Sequence, residues 1–206
     1  INAPFADPDH GRWVEAFERP GRELYDRRDA VLAALALQPG MRVADVGAGT
    51  GLYTELFARR VGAEGRVYAV DVAASFIGAI EQRMRAQGLQ NVRGIVNTQH
   101  STLLPPNSVD LVFVADTYHH FEHPADMLHS IHQALAPAGE LVIIDFRREP
   151  EIGSPWVMRH VRAGRDRSPR EALSLSPCRR TPPAAAPRGP CTRGVPTADE
   201  HGSPTS

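Results

Sequence analysis

Short apolar runs alternate with longer amphipathic stretches from residue 22 to residue 146. The runs Arg42–Val46, Arg66–Asp71, Val92–Asn97, Val109–Ala115 and Glu140–Phe146 are short and rich in β-branched residues, and predict five strands. Between them, Leu52–Val61 sets Leu52, Leu56 and Phe57 against an outward Arg59 and Arg60, a helical pattern. A second helix is predicted over Ala74–Gln87, stopped by Gly88, and a third over Pro124–Leu135. Upstream, Arg22–Leu37 carries Leu24, Arg28, Val31, Leu32 and Leu35 at helical spacing before Pro39 and Gly40 end it. Val109–Ala115 is almost wholly apolar, as a central parallel strand covered on both faces must be. Strands alternating with helices predict an α/β protein with a doubly wound, mostly parallel sheet, connected by right-handed crossovers.

The ends of the chain break this rhythm. Residues 1–21 read as an N-terminal arm, polar and loosely docked over Ile1–Gly11, with Trp13 and Phe17 beyond it. The main domain spans 22–150. A partial helical region follows over 151–173, where Trp156, His160 and Ala163 share one helical face. From 174 to 206 the text turns to Arg, Pro, Ala, Thr and Ser without an aromatic residue, which predicts a disordered or aberrant tail. Its composition resembles GC-rich DNA read in the wrong frame, the alternative being a native disordered tail. On this reading the fifth strand keeps an open apolar edge, inviting homo-oligomers or aggregation.

The most informative segment is Val43–Gly51, VADVGAGTG. A strand runs into Asp45, then Gly47, Gly49 and Gly51 lead to a helix, with Ala48 and Thr50 between them. Such a bend admits a ligand against backbone N–H groups where a Cβ would collide, at the partially positive head of the helix. About twenty residues on, Asp71 ends the next strand, where a carboxylate can accept both hydroxyls of a ribose. The spacing G-x-G-x-G, with Asp45 two residues ahead, differs from the dinucleotide fingerprint G-x-G-x-x-G. Beside a pyrophosphate Asp45 would repel. It can instead hold the loop or meet an ammonium group.

These residues, with Val109–Phe121 (VDLVFVADTYHHF) and Leu135–Phe146 (LAPAGELVIIDF), resemble class I S-adenosylmethionine-dependent methyltransferases from Val31 to Arg147. The resemblance implies a Rossmann-like fold whose last strands, a sixth and an antiparallel seventh, are not visible here. It implies S-adenosylmethionine as cofactor, cradled by Asp45, Gly47, Ala48, Gly49, Thr50 and Gly51. Asp71 would take the ribose, Val72 the adenine face, and Asp116 would lie at the cofactor's side. Relatives often put an acid after the third strand for the adenine amino group. Here Gln99 and His100 stand there, so a neutral amide oxygen replaces a charged acceptor. The loop Asp116–Phe121 then separates cofactor from acceptor. Alignment alone accelerates methyl transfer. For a hydroxyl acceptor, His119 or His120 would serve as base and Tyr118 as orienting donor. Trp13, Phe17, Leu24 and Tyr25 are candidates to cap an apolar acceptor, or to pack in the core. The rival readings are a non-catalytic cofactor-binding module and a nicotinamide oxidoreductase.

Bulk properties narrow the partners. The chain has 206 residues and a net charge of −1, which argues against a globally basic nucleic-acid binder. Its basic residues are all arginine, a mark of coding bias. Cys178 and Cys191 fall in the tail, so neither a disulfide framework nor a cysteine metal site is expected. His119 and His123 would share a helical face if the helix began early, but a third ligand is not evident and no metal is expected. No apolar run is long enough to span a membrane. The chain begins with Ile1 rather than Met, which leaves room for an upstream segment such as a removed leader. With a cytosolic metabolite as cofactor, the default location is the cytoplasm.

Overall fold

The computed structural model describes residues 8–146 and 156–162. Six strands form one sheet: β1 (Arg42–Val46), β2 (Arg66–Asp71), β3 (Val92–Val96), β4 (Val109–Ala115), β5 (Leu135–Phe146) and β6 (Trp156–Arg162). Their order is β3-β2-β1-β4-β5-β6. β1 to β5 run parallel, and β6 returns antiparallel to β5. The order reverses between β1 and β4, so a crevice opens at their carboxyl ends. Register aligns that crevice, since Val46 stands level with both Val70 and Val114.

Burial on both faces explains why β4 is apolar apart from Asp110. Val112 and Val114 pack with Met127 and Ile131 of the helix α6 (Pro124–Ala134), while Leu111 and Phe113 pack on the opposite face. There they meet Phe57 and Val61 of the helix α4 (Leu52–Val61), and Val31 and Leu35 from upstream. Phe57 and Phe113 cross edge-on at 5.1 Å between ring centres, and Tyr53 lies 4.8 Å from Phe113. The α4 face is therefore wider than its leucines suggest: Tyr53, Thr54 and Ala58 are buried, whereas Leu52 and Leu56 are only partly so.

Upstream, the single expected helix divides into α2 (Glu23–Asp26) and α3 (Arg28–Leu35), and α1 (His10–Phe17) precedes them. Asp9 caps α1 by accepting a bond from the Arg12 N–H. The arm is not loosely docked from here on. The His10 ring donates to the Thr50 carbonyl at 3.1 Å, and Glu18 accepts from Arg83 on the helix α5 (Ala74–Ala86) at 2.8 Å. Ile1–Asp7 lie outside the described residues.

Two expectations need correction. Trp156–Arg162 is a strand, not a helix, paired with β5 from Phe146↔Trp156 to Glu140↔Arg162. The helical pattern rested on three residues, whereas WVMRHVR holds Trp156, Val157 and Val161, all good strand formers. The edge of β5 offers a row of N–H and C=O groups that an extended neighbour can satisfy. A sixth strand is thus present, and the open β5 edge expected to drive homo-oligomers is filled. Residues 163–206, with the expected tail, lie outside the described residues. Among the described residues no helix is long and apolar enough to cross a membrane.

Candidate active site

A cavity of about 710 Å³ opens over the carboxyl ends of β1, β2 and β4. That volume suits a nucleoside and a second small molecule together. The bend after β1 forms its floor. Gly47, Gly49 and Gly51 all adopt positive φ, at 75°, 53° and 85°. A Cβ on Gly47 would stand 2.2 Å from the Thr117 side chain, so the approach of the β4 loop also requires glycine there. At Gly49 the nearest atom to such a Cβ is 3.9 Å away, so that glycine borders open space.

Asp71 ties the bend to β2. One carboxylate oxygen accepts from the Gly49 N–H and the other from the Ala73 N–H, each at 2.9 Å. Burial raises its carboxyl above the ordinary value, and the backbone N–H groups of Ala73 and Gly49 oppose that shift. The carboxylate thus serves the bend and the head of α5 at once while bordering the cavity. Asp45 does not hold the glycine bend. It is 4 % exposed and accepts from the Thr54 hydroxyl at 2.7 Å, anchoring the first turn of α4. Burial, opposed by Thr54 and reinforced by the charge of Asp71, pushes its carboxyl up to about 7.

Ala48, Thr50, Val72, Gln99 and Asp116 also border this cavity. Val72 is 43 % exposed there, an apolar face beside the ribose acceptor. Gly51 does not border it, because it is buried against Ile80, where a Cβ would come within 2.8 Å. His100, near Gln99 in sequence, lies outside the lining. It stacks on His123 at 3.9 Å and bonds Asp126 at 2.7 Å.

The β4 loop splits the catalytic candidates. A 3₁₀ turn over Tyr118–His120 places His119 and His120 on the cavity wall, their rings 4.1 Å apart. Tyr118 is not on that wall. Its ring packs edge-on against Phe121 and the core. The His119 ring bonds Asp145 through Nδ1 at 2.8 Å. Burial lowers the pKa of His120 below the usual imidazole value, the neighbouring His119 lowers it further, and Asp145 opposes. His119 and His123 do not share a face, since His123 precedes the first turn of α6 and stacks on His100. Asp116, His119 and Asp145 do bring ligand atoms within 4.8 Å of one another, as do His100, His123 and Asp126.

Sequence reasoning missed Arg22. Its guanidinium crosses 94 residues to pair with Asp116 and lies 4.0 Å over the Phe17 ring. Burial raises the Asp116 carboxyl and the Arg22 charge draws it back down. Asp116 itself has φ of 52°, rare for a residue with a Cβ. The final residues of the fifth strand, IIDF, hinted at Asp145, but nothing local pairs it with His119. Trp13, Phe17 and Leu24 complete an apolar wall, whereas Tyr25 sits under Arg28 instead.

A bent glycine loop and a strand-end carboxylate on one cavity define an α/β protein that receives a nucleoside. Residues 43–139 match the family described as a methyltransferase domain. The chain is similar to a crystal structure of an S-adenosylmethionine-dependent methyltransferase from Aquifex aeolicus, 32 % identical with a TM-score of 0.62. That likeness covers 72 % of this chain and 79 % of the other. It is also similar to the ubiquinone/menaquinone biosynthesis C-methyltransferase of Hydrogenovibrio crunogenus, 30 % identical over 54 % of this chain and 44 % of that one. The demethylmenaquinone methyltransferase of Geobacillus stearothermophilus is 31 % identical over 60 % and 53 %. The chain spans about half the length of these two curated relatives. It belongs to the S-adenosylmethionine-dependent methyltransferases.

Proposed function

We propose that this chain binds S-adenosylmethionine in the 710 Å³ cavity and transfers its methyl group to a small, largely apolar acceptor. One observation carries the reading: the Gly49 N–H and the Asp71 carboxylate meet at 2.9 Å on the cavity floor. A backbone cradle and a sugar acceptor therefore form one unit. The residues suit the cofactor in charge and shape. Open space above Gly49 admits it, Asp71 accepts from the ribose, and Val72 offers an apolar face to the adenine. Gln99 offers an uncharged acceptor for the adenine amino group, and Asp45 a carboxylate for the ammonium. Thr50 and Ala48 line the same floor.

Bound there, S-adenosylmethionine supplies an electrophilic methyl group with a neutral thioether as leaving group. The protein contributes position and dryness. Trp13, Phe17, Leu24 and Phe121 supply an apolar wall against which a flat acceptor excludes water. The Arg22–Asp116 pair fixes a polar point on that wall. The curated relatives act in quinone biosynthesis by their names, so demethylated naphthohydroquinones are the first acceptors to try.

The rival reading, a cofactor-binding module without catalysis, rested on the sheet lacking strands beyond the fifth. β6 removes half of that ground. Calorimetry with S-adenosylhomocysteine tests the cavity, and transfer of a radiolabelled methyl group to a panel of acceptors tests catalysis. Heat without transfer to any acceptor would favour the module, and no heat would refute both.

A further inference from the structure

We propose that His119, positioned by Asp145, is the general base of this cavity, and that the acceptor therefore gives up a proton from a hydroxyl group. This rests on the methyl-transfer reading above and narrows it to a substrate class. Asp145 is the penultimate residue of β5, and it holds His119 twice. Oδ1 lies 2.8 Å from the imidazole Nδ1, and Oδ2 accepts from the His119 backbone N–H at 3.1 Å. One carboxylate thus fixes both the ring and the turn that carries it. His119 borders the cavity and Asp145 does not, so Asp145 acts through the histidine.

The tautomer follows from this contact. An ionised carboxylate only accepts, so Nδ1 carries the proton and the lone pair falls on Nε2. A neutral imidazole in that form takes a proton, and Asp145 supplies the counter-charge once it has done so. His120 is the poorer base, because burial and the adjacent His119 disfavour its charged form. Among the described residues, Asp145 on β5, Asp116 at the end of β4 and His120 on its own turn act on His119 or lie beside it. Arg22 offsets the charge of Asp116.

The acceptor O–H bond breaks and its proton passes to Nε2 of His119. The electron pair released reaches the hydroxyl oxygen or, where the hydroxyl sits on an aromatic ring, the adjacent ring carbon, which forms the new bond to the methyl carbon. The methyl–sulfur bond breaks, and its electrons convert the sulfonium to a thioether. Transfer to oxygen ends when the imidazolium releases its proton to water. Transfer to carbon ends when that carbon loses its own hydrogen to water as a proton and the imidazolium returns one to the oxygen. Either way one proton is released per turnover.

The test uses the full chain labelled with ¹⁵N-histidine and saturated with S-adenosylhomocysteine. Two-bond ¹H–¹⁵N correlations, assigned by loss of a signal in His119→Gln, should show the proton on Nδ1. Asp145→Asn presents an amide N–H₂ to that nitrogen and should move the proton to Nε2. With S-adenosylmethionine and a naphthohydroquinone acceptor near pH 7, His119→Gln should lower kcat by about 100-fold or more, and Asp145→Asn by at least about tenfold. KM and the Kd for S-adenosylhomocysteine should hold. The His119→Gln deficit should shrink as pH rises and solvent deprotonates the acceptor. A proton on Nε2 in the wild type overturns the proposal, as does full kcat in His119→Gln. A deficit confined to His120→Ala does so too. Should Asp145→Asn unfold, the wild-type tautomer and His119→Gln still decide. Failure to bind S-adenosylhomocysteine at all would count against the function itself, not against the base.

Discussion

Replacing Asp45 by asparagine should make this protein more stable and less able to bind its cofactor, with both effects growing as pH rises. The Asp45 carboxyl, ordinarily at 3.8, is pushed up to about 7 by burial. In the unfolded chain it ionises near its ordinary value. Between pH 3.8 and 7 the unfolded chain therefore releases a proton that the folded chain keeps, and stability falls as pH rises through that window. Above pH 7 the cost is complete. Three pK units correspond to about 4 kcal/mol, a ceiling for a group whose site can admit water. Asparagine keeps an acceptor for the Thr54 hydroxyl and cannot ionise. At two to four degrees per kcal/mol, Asp45→Asn should raise Tm by several degrees at pH 8, with ~16 °C as an upper bound. The gain should vanish near pH 4.

The functional effect has the opposite sign. An ammonium group entering the cavity favours the ionised carboxylate, so wild-type affinity should rise through pH 7 while that of Asp45→Asn stays flat. Loss of a charge-assisted bond predicts roughly 10- to 100-fold weaker binding at pH 8, and a small difference at pH 5.5. Thermal melts by circular dichroism from pH 4 to 8.5 give the first curve, and calorimetry with S-adenosylhomocysteine gives the second. A Tm difference independent of pH would refute the reasoning, as would an asparagine variant less stable than wild type at pH 8. Either result would mean that Asp45 folds already ionised.

Asp71→Ala strips the Gly49 and Ala73 N–H groups of their acceptor, and should cost about 2–4 kcal/mol in urea melts while weakening S-adenosylhomocysteine by about tenfold or more. Unchanged affinity would remove Asp71 from the sugar site. Gly47→Ala drives a Cβ to 2.2 Å from Thr117 at a φ of 75°, so a loss of about 2 kcal/mol or more is expected by denaturation. Adding Thr117→Gly should recover the clash but not the backbone strain, and full recovery would show the φ to be harmless. Phe57→Ala, at the centre of the Tyr53–Phe57–Phe113 cluster, should cost about 3–5 kcal/mol without altering cofactor stoichiometry in the surviving folded fraction.

The parts of this fold legible in sequence are those whose cause is local. β1, β2, β4 and α4 begin and end where periodicity and glycine put them, because apolar alternation and a bend each act within a few residues. β6 was missed because its partner is β5, ten residues away across a break in pattern, and three residues at helical spacing outweighed the β-formers Trp156, Val157 and Val161. The same division holds at the site. Asp45, Gly47, Gly49 and Asp71 announce themselves by spacing from one turn. Arg22 and Asp145 acquire meaning only through partners 94 and 26 residues distant. Tyr118 shows the converse, since its place in the loop hid that its ring turns to Phe121.

The cavity has two provenances, and they assign different work to different parts of the chain. Its cofactor half comes from the ends of β1 and β2, inside the stretch 43–139 that matches the methyltransferase domain family. The wall facing it draws on Trp13, Phe17, Arg22 and Leu24, all before that stretch. Polar contacts tie that segment to the rest of the fold: the His10–Thr50 bond, the Glu18–Arg83 pair, Arg22–Asp116 and the Tyr53 hydroxyl on the Leu24 carbonyl. The first of these touches the glycine bend itself, whereas Trp13 and Phe17 line the facing wall. Acceptor choice should then change by substitution at Trp13 or Phe17 while cofactor affinity holds. Acceptor competition between wild type and Phe17→Ala reads that difference directly. A parallel collapse of S-adenosylhomocysteine binding would show that the two halves are not separable.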